Sequence, residues 1–396
     1  MNSSLLWMLP LALLGVLLLL WTVLLVIQVY AAAWVWRAQI ADSPDEAPTL
    51  AVLMPAHDEA TVIAQTVAEV RRHLRLQDRL LVVADNCADT TAEVACAAGA
   101  EVVERTDPVL RGKGYALAYG LACLTQRSPQ VVVVVDADCR LAPGALQRLA
   151  AQAWKLQRPV QGLYLMQAGA GSGLKLRMAA FAWALRNHLR ALGYKCLGLP
   201  CQLMGSGMAF PWPLVQQVSF ATGHIVEDLK LGLTFAAMGK PPYFCPEAMV
   251  LSDFPVNEQG VQSQRKRWEH GHLTVLMQDA PRYLAQALWQ RNGSLLALAL
   301  DMSVPPLALL ASLCATYAML GAVVAWQTAV VWPLLVGVGA CAALLSAAVQ
   351  GWMLVGKAWV RGHELLLVPV YILRKLPLYL AFLFKRQVAW VKTRRD

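Results

Sequence analysis

The chain has 396 residues, a formal net charge of +9 and a hydrophobic share of 58%. Soluble domains are usually about half apolar, so this composition argues against an ordinary soluble protein and predicts membrane segments beside one sizeable domain. The basic residues are scattered or flank apolar runs and form no dense stripe, which argues against a nucleic-acid partner. The nine cysteines include no C-x-x-C pair, which argues against a zinc cluster and a secreted disulfide framework.

The N-terminal segment, residues 5–36, is free of charged residues and exceeds the about 20 apolar residues that a spanning helix needs. Its start carries no basic residue, so we expect a retained anchor over residues 1–36 and not a cleaved signal peptide. Trp34 and Trp36 fit an interfacial aromatic belt, and Arg37 follows them. Because positively charged flanks stay inside, the downstream domain is predicted to be cytoplasmic.

Residues 302–356 form a second stretch without charges, long enough for two spans. A polar break at residues 326–328 divides them, and we predict a transmembrane hairpin over residues 295–357. Arg291 precedes the hairpin and Lys357 follows it, so both ends are expected on the cytoplasmic side.

The last segment, residues 363–396, fits either an interfacial helix or a further transmembrane helix. Arg374 and Lys375 interrupt its apolar run, and central charges are unfavourable in a bilayer, which favours the interfacial helix. The segment ends in a basic tail suited to an anionic lipid surface. The tail residues are Lys385, Arg386, Lys392, Arg394 and Arg395. We therefore predict a multi-pass protein of the inner (plasma) membrane, with membrane lipid as a partner.

Between the anchors, residues 48–290, short apolar runs alternate with helical patterns. The apolar runs predict strands at residues 49–54, 80–84 and 131–135, and helical spacing predicts helices at residues 59–74 and 114–124. Thr90-x-x-Glu93 fits a capping box and predicts one more helix after the second strand. Strands that alternate with helices imply an α/β domain built of βαβ units.

Acidic residues follow three of these predicted strands. Ligands bind beyond the carboxyl ends of the strands in such sheets. Carboxylates gathered at one edge repel one another unless a cation or a ligand rich in hydrogen-bond donors is bound, so the pattern indicates a metal and nucleotide site. The strand ends read Pro55-Ala56-His57-Asp58-Glu59, Asp85-Asn86-Cys87-Ala88-Asp89 and Asp136-Ala137-Asp138.

Two of these ends have a functional and a purely structural interpretation. Asp136 and Asp138 point the same way in extended chain and could face one divalent ion that bridges a diphosphate, or they could bond the backbone of a turn. Asp85 could accept hydrogen bonds from a nucleobase or ribose. A helix N-cap role is the alternative, which Asn86, Asp89 or Thr90 could fill equally well.

The sequence Arg111-Gly112-Lys113-Gly114 could bring a cation and backbone N–H groups to phosphates at a helix start. It is no P-loop, because Gly114 stands where Ser or Thr is required. Taken alone, it is more typical of a solvated turn. The chain also lacks G-x-G-x-x-G and G-x-S-x-G, which argues against dinucleotide-binding and α/β-hydrolase activities.

Further acidic residues lie later in the chain. Glu227 and Asp228 could stabilise a helix start, or one of them could be a general base whose pKa is raised in a partly apolar pocket. Asp301 stands at the edge of an apolar span, where an acid is a functional candidate. It could instead cap a helix or pair with Arg291.

Gln264-x-x-Arg267-Trp268 precedes the predicted hairpin. Basic residues with a tryptophan are typical of any cytoplasmic membrane flank. The alternative is a phosphate clamp with an aromatic wall for a sugar.

In this order, the motifs over residues 49–272 resemble those of family 2 glycosyltransferases with a GT-A fold. The membrane-bound branch of this family includes cellulose synthase, hyaluronan synthase and ceramide glucosyltransferase. The resemblance implies a Rossmann-like mixed sheet with flanking helices, which the anchors extend with transmembrane helices at both ends. It also implies an inverting, metal-dependent transfer from a nucleotide-sugar, with a UDP-sugar as the expected donor and Mg2+ or Mn2+ as the cofactor.

The resemblance assigns roles to residues of this chain. Asp228 is the implied general base, with Glu227 beside it, and Gln264 and Trp268 face the acceptor. Asp58 departs from the family, which usually carries Asn there. The implied donor-binding residues are Pro55, His57, Glu59, Asp85, Lys113, Asp136, Asp138 and Arg267, of which Asp138 and Asp136 hold the metal.

The expected acceptor is a membrane-associated lipid-linked molecule or a glycan, in polysaccharide or glycolipid biosynthesis. Three alternatives stay open: a processive synthase subunit that works with a partner channel, an inactive scaffold of a polysaccharide export complex, and a polyprenyl-phosphate sugar synthase. About three spans are too few to build a channel alone. The phosphate acceptor of the last alternative needs no strong general base, which makes it less favoured than a hydroxyl acceptor.

Overall fold

The computed structural model describes residues 3–36, 48–169, 171–255 and 257–384, and leaves out the side chains of residues 3–7, 258 and 383. The predictions made on Arg37 and on the basic tail (Lys385, Arg386, Lys392, Arg394, Arg395) lie outside the described residues.

An eight-stranded mixed sheet forms the centre of the domain, in the order β3-β2-β1-β4-β7-β6-β8-β5. The first four strands in this order are parallel, β7 runs antiparallel to both of its neighbours, and β8 is parallel to β6. The strands are β1 (Leu50–Ala56), β2 (Arg79–Asp85), β3 (Glu101–Arg105), β4 (Val131–Val134), β5 (Arg140–Leu141), β6 (Val160–Gln167), β7 (Met208–Pro211) and β8 (Tyr243–Asp253).

Sixteen α-helices are described along the chain. They are α1 (Ser3–Val35), α2 (Ile63–Arg72), α3 (Thr91–Ala97), α4 (Lys113–Leu124), α5 (Ala145–Leu156), α6 (Leu174–Ala184), α7 (Ala191–Cys196), α8 (Trp212–Val215), α9 (Glu227–Ala237), α10 (Glu258–Thr274), α11 (Ala280–Trp289), α12 (Gly293–Ser303), α13 (Leu307–Thr328), α14 (Trp332–Leu354), α15 (Val368–Leu373) and α16 (Leu376–Phe384). Two π-helical segments, Leu185–Arg190 and Val275–Asp279, join α6 to α7 and α10 to α11. The 3-10 segments are Thr125–Arg127, Gly356–Ala358 and Gly362–Leu367.

The sheet is buried on both faces because its central strands are apolar at every position. Alternate residues of β4 point to opposite sides, so Val131 and Val133 pack with α2, α3 and α5, while Val132 and Val134 pack with α4, α8 and α9. Burial on both faces explains why the sequence shows continuous apolar runs there instead of an alternating pattern.

The predicted strands and helices of the first half are confirmed, with boundaries shifted by a few residues. The predicted capping box is wrong: the helix α3 follows Thr90, but the Thr90 side chain makes no capping hydrogen bond. Asp89 bonds the start of α3 instead. Its Oδ1 accepts hydrogen bonds from the backbone N–H of Thr91 at 3.0 Å and from the Thr91 hydroxyl at 2.5 Å.

Four helical segments of the described chain are long and apolar enough to cross a membrane: Met8–Val35, Leu307–Thr328, Trp332–Leu354 and Gly362–Phe382. The second and third are α13 and α14, which contact each other and lie within residues 295–357, where we predict a hairpin. The turn between them falls at residues 329–331, directly after the polar residues 326–328, and residues 295–303 belong to α12. The fourth is interrupted at Arg374 and Lys375, as the charge pattern indicated, and the ammonium of Lys375 bonds Glu269 of α10 at 2.5 Å.

A buried polar network joins α1 to the α/β domain. Asp301 of α12 accepts hydrogen bonds from Gln28 of α1, from the guanidinium of Arg190 at 2.6 Å, and from Gln202. Arg190 also donates to the Gln28 side-chain oxygen at 2.8 Å. The predicted pairing of Asp301 with Arg291 is therefore wrong, because Asp301 forms its ion pair with Arg190. Arg190 is far from Asp301 in sequence, so the sequence alone did not indicate this pair.

Replacing Asp301 by alanine is expected to lower the free energy of unfolding by about 3–5 kcal/mol, because it leaves the Arg190 cation buried without a counter-ion. Denaturant unfolding of the detergent-solubilised protein measures this loss. The matched control is Glu247→Ala, which breaks the less buried pair with Lys195 and should cost about 1 kcal/mol or less. Equal losses in the two variants would contradict the account of this network.

Candidate active site

One cavity of about 220 Å3 is lined by all the residues to which the family resemblance assigned a role. It opens beyond the carboxyl ends of β1, β2 and β4, where a parallel sheet binds its ligands. The starts of α4 and α9 and one side of α10 complete its wall. The predicted residues in its lining are Pro55, His57, Glu59, Asp85, Lys113, Asp136, Asp138, Glu227, Asp228, Gln264, Arg267 and Trp268.

Lys113 is the central cation of the cavity. Its ammonium forms an ion pair with Asp136 and donates a hydrogen bond to the backbone oxygen of Gly205 at 2.7 Å. Burial lowers the pKa of Lys113, but the charges of Asp136 and Glu227 outweigh burial and hold this pKa above its ordinary value. The interpretation of this motif as a solvated turn is therefore wrong, because Lys113 is bonded inside the cavity. The motif alone could not show this, since the carboxylates around Lys113 come from distant parts of the chain.

Glycines let the Lys113 turn come close to its surroundings. Gly112 has φ +125°, a conformation that side chains rarely adopt. A Cβ on Gly114 would lie 2.6 Å from the backbone oxygens of Phe220 and Thr222. Gly112 is therefore favoured by its backbone conformation, and Gly114 by the close approach of the helix start to neighbouring backbone.

Asp136 and Asp138 fit a divalent cation. One oxygen of each carboxylate and the Cys139 sulfur lie within 4.8 Å of one another. Burial raises the pKa of the Cys139 thiol well above its ordinary value, and the thiol contacts Ser206 Oγ at 3.2 Å, so sulfur is not offered as an anionic ligand. Carboxylate oxygens are the ligands that Mg2+ and Mn2+ prefer.

Ser252 of β8 orients the Asp138 carboxylate. Its hydroxyl donates a hydrogen bond to Asp138 Oδ2 at 2.6 Å. The sequence gave no sign of this partner, which lies more than a hundred residues further along the chain.

The ends of β1 and β2 form the opposite part of the cavity. Asp85 pairs with Arg105 at 2.6 Å, and its backbone oxygen contacts His57 Nδ1 at 2.6 Å. Asp58 has φ +51°, a left-handed conformation that Asn and Asp adopt more readily than other side chains, and its carboxylate accepts a hydrogen bond from Ala88 N. This backbone requirement explains why Asp can stand where the family pattern has Asn.

Glu227 and Asp228 begin α9 deep in the cavity. Burial raises the pKa of Glu227, and the Asp228 charge adds to this rise. Burial also raises the pKa of Asp228, while Lys113 and the hydrogen bond from Leu229 N at 2.9 Å hold it down. The two carboxylates are therefore suited to hold and accept protons closer to neutral pH than exposed acids are.

An aromatic wall lies on the remaining side. Trp268 of α10 contacts Trp183 of α6 with 4.7 Å between ring centroids, and Trp183 meets Tyr164 edge-on at 5.8 Å. Gln264 is buried beside it. The sequence interpretation missed Trp183 and Tyr164, as well as Arg186 in the π-helical segment, because no local motif surrounds them.

Comparison with known proteins identifies the catalytic region. A family model described as "Glycosyltransferase like family 2" matches residues 47–271, more than half of the chain. The low-salt glycan biosynthesis hexosyltransferase Agl6 of Haloferax volcanii is 41% identical over 103 residues, which are 25% of this chain and 23% of that protein. The probable glycosyltransferase YdaM of Bacillus subtilis is 24% identical over 266 residues, 63% of this chain and 60% of that protein. The chain thus matches less than two thirds of the length of either relative.

A solved structure shares the fold. A mannosyltransferase of Pyrobaculum calidifontis, in complex with GDP-Man and Mn2+, aligns with a TM-score of 0.50 at 18% identity, over 86% of this chain and 98% of that chain. Glucosyl-3-phosphoglycerate synthase of Mycobacterium tuberculosis, in complex with Mn2+, UDP and phosphoglyceric acid, aligns with a TM-score of 0.41 at 22% identity, over 58% of this chain and 78% of that chain. The mixed sheet with flanking helices is the predicted GT-A architecture.

Removing the Ser252 hydroxyl is expected to weaken binding of Mn2+ together with UDP by about 10-fold or more, because Asp138 loses the bond that orients it. Calorimetric titration of Ser252→Ala measures the affinity. Ser128→Ala is the matched control, since that hydroxyl bonds Thr125 on the exposed surface. Unchanged affinity in Ser252→Ala would show that Asp138 does not hold the metal in the observed orientation.

Proposed function

We infer the reaction of this chain from the family to which it belongs, the glycosyltransferase-like family 2. We propose that it transfers one sugar from a nucleotide-sugar donor to a hydroxyl group of a membrane-associated, lipid-linked acceptor, with inversion at the anomeric carbon. The observation that carries the proposal is that the candidate residues line one cavity. In it, two carboxylates that suit a divalent ion, a partly buried lysine and a partly buried carboxylate pair lie together, and the chain has membrane-type helices.

The proposed cofactor is Mg2+ or Mn2+, held by Asp138 and Asp136. The carboxylate geometry and the protonated Cys139 thiol support oxygen ligation. The mannosyltransferase that shares this fold was solved with Mn2+. A divalent ion in this place supplies neutralisation of the charge that develops on a leaving diphosphate.

The nucleotide of the proposed UDP-sugar occupies the ends of β1 and β2. Pro55, His57, Glu59 and Asp85 line this part of the cavity, and carboxylates there can accept hydrogen bonds from ribose or base. Lys113 at the start of α4 faces the proposed diphosphate, since it carries a positive charge beside Asp136.

Asp228 is the proposed general base. Its carboxylate accepts the proton of the acceptor hydroxyl while that oxygen attacks the anomeric carbon, and the nucleoside diphosphate leaves from the opposite face. Glu227 lies beside Asp228 in the chain, and burial together with the Asp228 charge raises its pKa. A base and a leaving group on opposite faces of the sugar require a single displacement, which inverts the configuration.

The acceptor side of the cavity lies against the membrane-type helices, which supports a lipid-linked acceptor. Phe181 and Leu185, on the same helical stretch as Trp183, pack with Leu25 and Val29 of α1. The helix α10 is joined to α16 by hydrogen bonding between His270 and the backbone oxygen of Leu378 at 3.2 Å. We propose that the acceptor reaches the site from the cytoplasmic leaflet of the plasma membrane.

Purified protein in lipid nanodiscs is expected to release nucleoside diphosphate from one member of a nucleotide-sugar panel, and EDTA should abolish the release. Asp138→Asn and Asp228→Asn should lower the rate by about 100-fold or more, because each removes a group that acts on the reacting atoms. Asp253→Asn is the matched control, since that acid pairs with Arg140 on the exposed surface.

A folded protein that neither binds nor consumes any donor of the panel would favour the scaffold alternative. An unchanged rate of sugar transfer by Asp228→Asn would contradict the assignment of Asp228 as the general base. Product length on a gel separates a single addition from polymerisation.

The pH profile follows from the raised pKa of Asp228. A base must be ionised to act, so kcat/KM should fall as the pH is lowered through this pKa, at a pH above the about 3.9 of an ordinary aspartate. Initial rates between pH 4 and pH 9, with UDP–Mn2+ binding measured at each pH as a control, locate this fall. A rate that stays constant down to the ordinary range of aspartate would contradict the buried base.

A further inference from the structure

Arg186 is a cation of the cavity that neither the family motifs nor the proposed mechanism uses. It lies in the π-helical segment between α6 and α7 and lines the cavity together with Trp183, Asp228 and Trp268. Segments of π-helix are rare and are frequent at functional sites. A charged side chain in the same cavity as the proposed base Asp228 therefore suggests a role in binding a ligand.

The hydrogen bonding of Arg186 leaves its charge available. Among the described residues, its guanidinium makes one hydrogen bond, from Nη2 to the side-chain oxygen of Gln202 at 3.1 Å, and no ion pair. A guanidinium carries five N–H donors, so most of them have no protein acceptor. The Gln202 oxygen is fixed in this direction because the Gln202 amide nitrogen donates to Asp301.

Arg190, four residues further along the same segment, shows the contrast. Its guanidinium donates from Nε to Gln28, and from Nη2 to both the carboxylate and the backbone oxygen of Asp301, with which it forms an ion pair. Arg190 is buried and closes the network to the anchor, whereas Arg186 is only partly buried and lines the cavity. Thus one arginine of the segment is structural, and the other has the donors and the position for a ligand.

We propose that Arg186 binds a phosphate group of a substrate in the cavity, a proposal that rests on the proposed function. The planar fork of an arginine matches two phosphate oxygens at once. The adjacent Trp183–Trp268 pair provides an apolar surface for the part of the molecule that carries the phosphate. The phosphate belongs either to the diphosphate of the donor or to a phosphorylated lipid acceptor, since both meet near Asp228.

Two binding measurements on Arg186→Gln in nanodiscs separate the two sources. The first is the affinity for UDP with Mn2+, which represents the donor. The second is the inhibition of donor turnover by decyl phosphate, with decyl glucoside as the uncharged amphiphile of equal chain length. Lys195→Gln is the matched control, because it removes one positive charge from α7 outside the cavity.

We expect Arg186→Gln to weaken one of these two interactions by about 10- to 100-fold, as the loss of a charge-assisted hydrogen-bond pair does, while Lys195→Gln stays within twofold. A loss confined to UDP–Mn2+ assigns the donor diphosphate, and a loss confined to decyl phosphate assigns the acceptor. Arg186→Gln values within twofold of wild type in both measurements would overturn the proposal and leave Arg186 as a support for Gln202.

If Arg186→Gln fails to fold, Arg186→Lys decides by the same two measurements, because it keeps the charge and loses the fork. A loss of threefold or more in either measurement supports the proposal, and none in both overturns it. Wild-type protein that binds no nucleoside diphosphate would refute the proposed function instead. In that case, the direct binding of decyl phosphate to wild type and Arg186→Gln would still test whether Arg186 binds a phosphate group.

Discussion

The structure depends on a lysine that neutralises carboxylates which would otherwise repel one another at the edge of the sheet. Asp136 comes from the end of β4, and Glu227 and Asp228 come from the start of α9, nearly a hundred residues later. Lys113 pairs with Asp136, and the three carboxylates together keep its ammonium charged despite burial. The loop of Gly205 is held to the same ammonium through its backbone oxygen.

This balance of charge also makes the site suitable for chemistry. Desolvation raises the pKa values of Glu227 and Asp228, and Lys113 limits that rise. A general base requires a pKa near the working pH. Asp138 stands beside this cluster, oriented by Ser252, and offers oxygen to a cation. A divalent metal ion bound to a nucleoside diphosphate can enter such a site, because the charges of the cation and the diphosphate largely cancel. The net charge of the site then changes little.

The position of the site against the membrane-type helices follows from a second set of contacts. The stretch from α6 to α7 contributes Trp183 and Arg186 to the cavity and packs its other side on α1. Gly193 makes the closest approach, since a Cβ there would lie 1.9 Å from the backbone oxygen of Gln28. The same helical stretch thus contacts α1 and lines the cavity, which supports the proposed membrane-associated acceptor.

Much of the fold was predictable because its signals are local. Five valines in a row and the apolar run of β1 predict buried strands, and the acids that follow them predict where a ligand binds. The pairing of β6, β7 and β8 was not predictable, since it joins segments far apart in sequence. For the same reason Arg105, Arg186 and Ser252 escaped notice: each acts through a partner that only the folded chain brings near.

The most direct test of a metal-dependent nucleotide-sugar site is electron–nuclear double resonance on Mn2+ bound to the protein with UDP. The account predicts one Mn2+ per chain with a 31P coupling from directly bound diphosphate, and its loss in Asp138→Asn. A bound Mn2+ without 31P coupling, or a coupling that persists in Asp138→Asn, would contradict the assignment of this cavity as the site where the sugar is transferred.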